Sequence, residues 1–108
     1  MGGNRMENTR NIAKVEELTI GRWGIAWQRF MQENYPDEAE ELMNSNRWNK
    51  LALEIDREAY SLWELLRKQY AKANPRPTTF METMKWENTR GLYVDHEVME
   101  QVVLQFRT

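Results

Sequence analysis

The chain has 108 residues and a mass of 13.0 kDa, with 15 lysines and arginines against 17 aspartates and glutamates. This length fits one small domain, and a hydrophobic fraction of 41% is too high for an intrinsically disordered chain. The sequence has no cysteine, which excludes disulfide bonds, thiolate metal sites and cysteine nucleophiles, and its pI near 5.5 does not favour a protein that mainly binds phosphate backbones.

Residues 1–18 are polar and of mixed charge, with few apolar side chains. They are predicted to form a loose N-terminal arm ahead of a single helical domain over residues 19–108. The first residues lack the apolar stretch of a secretory signal, and no apolar run reaches the about 18 residues that a membrane span requires. We therefore expect a cytoplasmic protein.

The first predicted helix covers residues 20–35, because its apolar side chains recur at helical spacing. Gly21 and Gly24, near its start, indicate a turn or a close approach of two backbones. Pro36 ends the helix because it forces the preceding residue out of the α region. The predicted face consists of Trp23, Trp27, Phe30, Met31 and Asn34.

A short second helix is predicted over residues 36–43, with Pro36 in the first helical position. An acidic block without any lysine or arginine runs from the end of the first helix through the second. Such a block has the charge to mimic the phosphates of a nucleic acid and to enter a basic groove of a partner, and the alternative is a solvated helix face. The acidic block consists of Glu33, Asp37, Glu38, Glu40 and Glu41.

The third and longest predicted helix runs from Arg47 to about Ala73, with Ser45 or Asn46 as its cap. Its apolar stripe is wide enough to face more than one neighbour. The neighbours are either the first and fourth helices or a second copy of the chain, which leaves a homo-oligomer open. The stripe consists of Trp48, Ala52, Ile55, Ala59, Leu62, Leu66 and Ala73, widened by Leu51, Trp63, Leu65 and Tyr70.

A fourth helix is predicted to fold back against the third after two prolines in residues 74–77. Thr79 followed by Glu82 fits a capping box at its start, and a kink or a split is expected at residues 88–92. Residues 98–106 fit a helix better than a strand, because no second strand pattern exists to pair with them. The predicted face consists of Phe80, Met84, Gly91, Val94, Val98 and Val102.

The predicted fold is therefore all-α, a small bundle of three to four helices with one long central helix. Its only histidine, His96, shares a helix face with Glu100 alone among its acidic neighbours, which predicts an exposed side chain rather than a metal ligand. No phosphate-binding glycine loop or nucleophile elbow is present, so we expect no enzyme and no cofactor.

The carboxylates of the third helix are predicted to form exposed ion pairs with their basic neighbours. The carboxylates are Glu54, Asp56, Glu58 and Glu64, and the basic residues are Lys50, Arg57 and Arg67.

Two basic groups, one at each end of the third helix, support an alternative function in nucleic-acid binding. The first group opens the helix, where the recognition helix of a helix-turn-helix protein places its base-reading side chains. The second lies near the C-terminus, where the helix dipole by itself favours positive charge. The first group is Arg47, Asn49 and Lys50, and the second is Arg67, Lys68, Lys72 and Arg76.

Four stretches of the sequence carry a resemblance to a known family. They are Ile20-Gly21-Arg22-Trp23-Gly24, residues 46–59 with their Ile55-Asp56 pair, Met84-Lys85-Trp86, and Glu100-Gln101-Val102-Val103. The sequence resembles TnpV, a family of small proteins encoded by transposons on bacterial mobile elements, over residues 20–105. The resemblance implies a setting, a bacterial mobile genetic element, rather than a mechanism.

The acidic balance and the five tryptophans favour a protein that binds another protein. In its specific form this function is inhibition of a host defence nuclease, an anti-CRISPR type of inhibitor that blocks a Cas effector. The acidic block would fit a basic channel of that partner, and Trp48 would serve as its apolar anchor. The alternative is a nucleic-acid-binding accessory protein of transposition.

Overall fold

The computed structural model describes residues 19–108, which form four α-helices and a terminal π-helical turn. The described residues contain no strand, so the all-α prediction is confirmed. The predicted N-terminal arm, residues 1–18, lies outside the described residues. The elements are α1 (Arg22–Asn34), α2 (Pro36–Asn44), α3 (Trp48–Ala73), α4 (Phe80–Val98) and the π turn (Met99–Val103).

Helices α1 and α3 approach each other closely at Gly24. A Cβ atom added to Gly24 would lie 2.6 Å from the carbonyl oxygen of Ala52 and 2.5 Å from the side chain of Ile20. Only glycine fits this distance, which confirms the predicted close backbone approach. The approach allows Trp23 and Trp27 of α1 to be buried against α3.

The N-terminus of α1 is capped by a side chain of another helix. Gly21 precedes α1 and supplies no side-chain cap, whereas the amide N–H of Gly24 donates to the carboxylate of Asp56 on α3, at 3.0 Å. This carboxylate therefore takes the place of a local capping residue at the positive end of the helix.

The prediction of ion pairs within α3 is wrong. Glu58 pairs instead with Arg107 of the C-terminal segment, at 2.7 Å, and Asp56 serves as the cap of α1. Among the described residues, no ion pair joins two side chains of α3. The acidic side chains of α3 that do form contacts therefore hold other segments onto the helix rather than stabilising it locally.

The turn between α2 and α3 corrects the predicted cap. Arg47 occupies the position before α3, and no side chain caps the helix there. Ser45 donates its hydroxyl backwards to the carbonyl of Leu42, at 3.2 Å, and Asn46 has a left-handed backbone with a φ of 60°. Asparagine tolerates this conformation, so these two residues form the turn rather than the cap.

Helix α4 begins as predicted, and the predicted split in its middle is absent. The hydroxyl of Thr79 accepts a hydrogen bond from the amide of Glu82, at 3.4 Å. The α-helix continues without a split through Gly91 to Val98, and the chain stays helical to Val103. The indole of Trp27 donates to the carbonyl of Gln105, at 3.1 Å, which ties this end of the chain to α1.

The hydrophobic core lies in only one part of the described chain. Every buried apolar side chain belongs to residues 23–59 or 94–103, and none belongs to residues 60–93. Leu62, Trp63 and Leu66 still pack against the core, and the rest of residues 60–93 extends beyond it as two helices that pack on each other. We call residues 60–93 the projecting hairpin.

The position of the core corrects part of the predicted face of α4. Val94, Val98 and Val102 are buried, whereas Phe80 and Met84 on the projecting hairpin are 76% and 48% exposed. The same boundary divides the tryptophans, because Trp23 and Trp27 are buried, whereas Trp48, Trp63 and Trp86 are half-buried.

Candidate functional site

The predicted acidic block forms an exposed surface around α2. On this helix Asp37, Glu40 and Glu41 point away from the buried Ala39 and Leu42 and are exposed. Among the described residues, none of the carboxylates in the block has an ion-pair partner. Their negative charges are therefore available to a partner. Glu33 is also exposed at the end of α1, and Glu38 is half-buried.

A groove of about 630 Å³ lies beside this acidic surface, at the junction of α2 and α3. Trp48 lines the groove and rests on the buried Trp27, with 5.2 Å between the ring centroids. Met43 also lines the groove and lies three residues after Glu40, so the two side chains are neighbours on the surface of α2. The groove is lined by Met43, Asn46, Trp48, Asn49, Lys50 and Leu53.

The structure brings Trp48 and the acidic block to the same end of the molecule, as the protein-binding hypothesis requires. Two of the residues predicted to bind nucleic acid, Asn49 and Lys50, line the same groove. The amide oxygen of Asn49 accepts a hydrogen bond from Gln28 of α1, at 3.1 Å, so this side chain already has a structural partner. The third member, Arg47, is exposed between α2 and α3.

The predicted nucleic-acid set does not form one surface. Lys50 and Lys68 are separated by 18 residues of continuous helix, or about 27 Å along α3. Arg67, Lys68 and Lys72 lie on the projecting hairpin, with Arg76 in the loop at its tip. The basic residues therefore belong to two ends of the molecule, and those at the start of α3 lie beside the acidic block.

The projecting hairpin carries an aromatic and arginine cluster that sequence reasoning missed. The guanidinium of Arg67 lies 4.5 Å from the ring centroid of Trp63 on α3, and the guanidinium of Arg90 lies 4.5 Å from the ring of Trp86 on α4. Tyr70 contacts Trp86 across the two helices, with 5.7 Å between the ring centroids. At the tip, Trp86 donates its indole N–H to the carbonyl of Asn74, at 2.8 Å.

A repeated spacing in the sequence is the signal that would have revealed this cluster. A tryptophan is followed by an arginine four residues later in both helices, as Trp63 with Arg67 and Trp86 with Arg90. Residues at this spacing are neighbours on a helix surface, and a guanidinium over an indole ring is attracted by the ring's quadrupole.

Positive charges are crowded in this cluster. Burial and, next, the positive charge of Arg67 lower the pKa of Arg90, and Glu87 opposes this shift. Glu87 is already paired with Arg76 at 2.7 Å, and the buried Nε of Arg90 has no hydrogen-bond partner in the part of the chain that the structure describes. A second groove, of about 320 Å³, is lined by Trp63, Glu64, Arg67, Lys68, Ala71 and Arg90.

His96 and its acidic neighbours lie on the surface of α4 and the π turn. The imidazole of His96 is exposed and lies 3.2 Å from the carboxylate of Glu100, one helical turn away. Residues 19–108 contain no group of three or more acidic or histidine side chains placed to hold a metal ion. No helix among these residues has the length and the hydropathy to cross a bilayer.

The family described as transposon-encoded protein TnpV matches residues 7–105. The chain belongs to the TnpV family. This match confirms the resemblance and places the chain among proteins encoded by mobile elements. No curated protein and no solved structure matches the chain.

The residues behind the resemblance to TnpV serve mainly to hold the helices together. Gly21 and Gly24 leave room for the carboxylate of Asp56 and the backbone of Ala52, respectively. Val102 and Val103 belong to the core. Trp86 differs from these residues because it lies in the aromatic and arginine cluster. The family pattern therefore mostly specifies the fold.

Proposed function

We propose that this TnpV family member acts by binding a protein through the acidic surface of α2 and the groove beside it. The observation that carries the proposal is an exposed set of unpaired carboxylates next to a groove with an apolar wall. Unpaired charges steer a partner of opposite charge, and a half-buried tryptophan supplies apolar contact area. The proposed action is contact, with no covalent chemistry.

The chemistry of this surface fits a partner with a basic nucleic-acid channel. Asp37 lies three residues before Glu40 and four before Glu41 on one helix, so its Cβ atom is only about 5–6 Å from theirs. This spacing is short enough to present several negative charges to lysines and arginines that normally bind phosphates. A host defence nuclease of the CRISPR type has such a channel, and it would be met in the cytoplasm of a bacterial cell that carries the element.

An accessory role in transposition through nucleic-acid binding is less well supported at this end of the molecule. Arg47 and Lys50 lie near the carboxylates of α2, which repel phosphates. Asn49 is already engaged with Gln28. Protein binding is therefore the better account of the groove at the junction of α2 and α3.

Charge reversal on α2 tests the proposal. The Glu40→Lys/Glu41→Lys variant should inhibit DNA cleavage by a purified Cas effector with its guide RNA more weakly than the original chain. The protein concentration needed for the same inhibition should rise about tenfold or more. Its melting temperature should not fall, because both side chains are exposed and neither lies in the first turn of α2, where the helix dipole favours acidic residues. The assay is repeated over a panel of effectors, since the sequence does not name one.

The matched control is Glu54→Lys/Glu82→Lys, which makes the same change in net charge at two exposed positions, one on α3 and one on α4, without ion pairs among the described residues. This control should inhibit as well as the original chain. Equal inhibition by the α2 variant, or failure of the original chain to inhibit any effector of the panel, would overturn the inhibitor proposal.

A further inference from the structure

We propose that the projecting hairpin carries a binding site for single-stranded nucleic acid, built on Trp63, Arg67, Lys68 and Arg90. This site lies in the groove of about 320 Å³ between α3 and α4. It is separate from the acidic surface of α2 and does not depend on the function proposed there.

The geometry of the arginines favours a phosphate ligand in this groove. Arg67 comes from α3 and Arg90 from α4, and both line the same groove while lying over the rings of Trp63 and Trp86. A guanidinium over a ring can still donate its terminal Nη–H groups to phosphate oxygens, and in Arg90 it is the Nε–H that is buried. The two helices thus present two oriented cations to one ligand.

The distribution of charge also favours an anionic ligand at the projecting hairpin. The projecting hairpin has six lysines and arginines against three acidic residues, although the whole chain has a net charge of −2. The other described residues have six basic side chains against eleven acidic ones. The groove is lined by three cations, Arg67, Lys68 and Arg90, against the single carboxylate of Glu64, so its positive charge is incompletely neutralised. An anion in the groove would relieve the repulsion between these arginines.

An exposed aromatic stack beside the groove indicates the kind of anion. Tyr60 stacks on Trp63 with 5.4 Å between the ring centroids and an angle of 21° between the planes, and Tyr60 is 52% exposed. An unpaired base can extend such a stack, whereas the bases of a duplex are already stacked on each other. A peptide of acidic residues alone offers the charge but no flat ring for Tyr60. Phosphates near Arg67, Lys68 and Arg90 with a base on Tyr60 therefore fit a single strand best.

The test is fluorescence anisotropy with a labelled oligothymidylate of about 20 nucleotides, long enough for a site of this class. The original chain should bind this strand more tightly than a duplex of equal length, and poly-glutamate should not displace it. The Arg67→Gln/Arg90→Gln variant should bind at least about tenfold more weakly. The slope of its log affinity against log salt concentration should also be smaller, by the equivalent of about one to two phosphate contacts.

The matched control is Arg29→Gln/Arg57→Gln, which removes two exposed arginines without ion pairs from the acidic part of the molecule. It should bind the strand like the original chain. Lys68→Gln gives a second readout that does not disturb the stacked arginines, because Lys68 is exposed and has no ion-pair partner among the described residues. It should reduce the salt dependence by about one contact while the melting temperature stays the same.

A stacking variant completes the test. Tyr60→Ser should weaken binding while leaving the salt dependence unchanged. The base then has no tyrosine ring to stack on, whereas the phosphates keep their contacts with the cations. Glu40→Lys/Glu41→Lys should retain strand binding, which separates this site from the proposed protein-binding surface. Absence of binding at low salt, equal losses in the arginine control, equal binding of the duplex or displacement by poly-glutamate would each overturn the proposal.

Discussion

At the scale of the residue, Asp56 connects two helices through a single hydrogen bond. Its carboxylate lies near enough to Gly21 that a Cβ atom there would approach its oxygens to 2.6 Å. It accepts the amide hydrogen of Gly24, one of the N–H groups that an α-helix leaves without an internal partner. Because Gly24 is buried, water does not readily replace this acceptor. The side chain thus fixes both the start of α1 and its position on α3.

Removing this carboxylate should destabilise the protein. Asp56→Ala leaves a buried N–H unpaired and removes the cap of α1, so we expect a loss of about 1–3 kcal/mol in the free energy of unfolding, measured by urea denaturation. Glu54→Ala, two residues away and without an ion-pair partner among the described residues, should change stability by less than about 0.5 kcal/mol. A similar midpoint for both variants would show that Asp56 is not a cap.

At the scale of the element, the distance between helices is decided by small residues. Gly24 and Ala52 lie at the crossing of α1 and α3, and the absence of a Cβ at Gly24 allows the helices to approach. Gly91 stands in the middle of α4, where an added Cβ atom would have no neighbouring atom within 4 Å. The two glycines therefore have opposite consequences for stability, although both lie within helices.

Substitution by alanine should separate the two positions. Gly24→Ala pushes a methyl group into the backbone carbonyl of Ala52, which cannot rotate away, and we expect a loss of about 1–3 kcal/mol. Gly91→Ala should instead stabilise the protein by about 0.5–1 kcal/mol, because alanine is the better helix former and meets no neighbour. Thermal and urea unfolding of both variants check this, and a loss of stability in Gly91→Ala would contradict the geometry of α4.

At the scale of the whole molecule, the core and the projecting hairpin are different kinds of structure. The core buries Trp27, Met31, Ile55, Val98 and Val103 completely or almost completely. The projecting hairpin has no buried side chain and holds most of the exposed large apolar ones. Because stability comes mainly from buried apolar area, the core should carry most of the folding free energy.

Removal of most of the projecting hairpin should leave a folded protein. We expect a variant in which residues 65–90 are replaced by a flexible loop of about four residues, a usual length between antiparallel helices, to unfold cooperatively. Circular dichroism and urea denaturation measure this. The variant should lose binding to oligothymidylate. Loss of cooperative unfolding would show that the core depends on the hairpin.

The sequence by itself determined the helices, because their signals are local. Apolar spacing, Pro36 and the Thr79 cap act within one or two turns, so the helix ends predicted from them agree with the structure to within about two residues. The exception is the C-terminus, where residues 98–106 were predicted as helix but the helical structure ends at Val103. The exposed face of α2 was equally readable, since Asp37, Glu40 and Glu41 follow from the helical period once Ala39 and Leu42 face inward. The resemblance to the TnpV family could also be recognised from the sequence, because it rests on four short stretches.

Only the tertiary structure decided which of these faces are covered and which residues meet. The apolar stripe of α3 continues past Ala59, but among the described residues no third helix covers it there, so Leu62, Trp63 and Leu66 are only half-buried. Asp56 could be recognised as a cap, and Arg67 and Arg90 as lining one groove, only after the relative positions of α1, α3 and α4 were known. These contacts join residues distant in sequence, and their formation depends on packing between helices rather than on the preferences of any one helix.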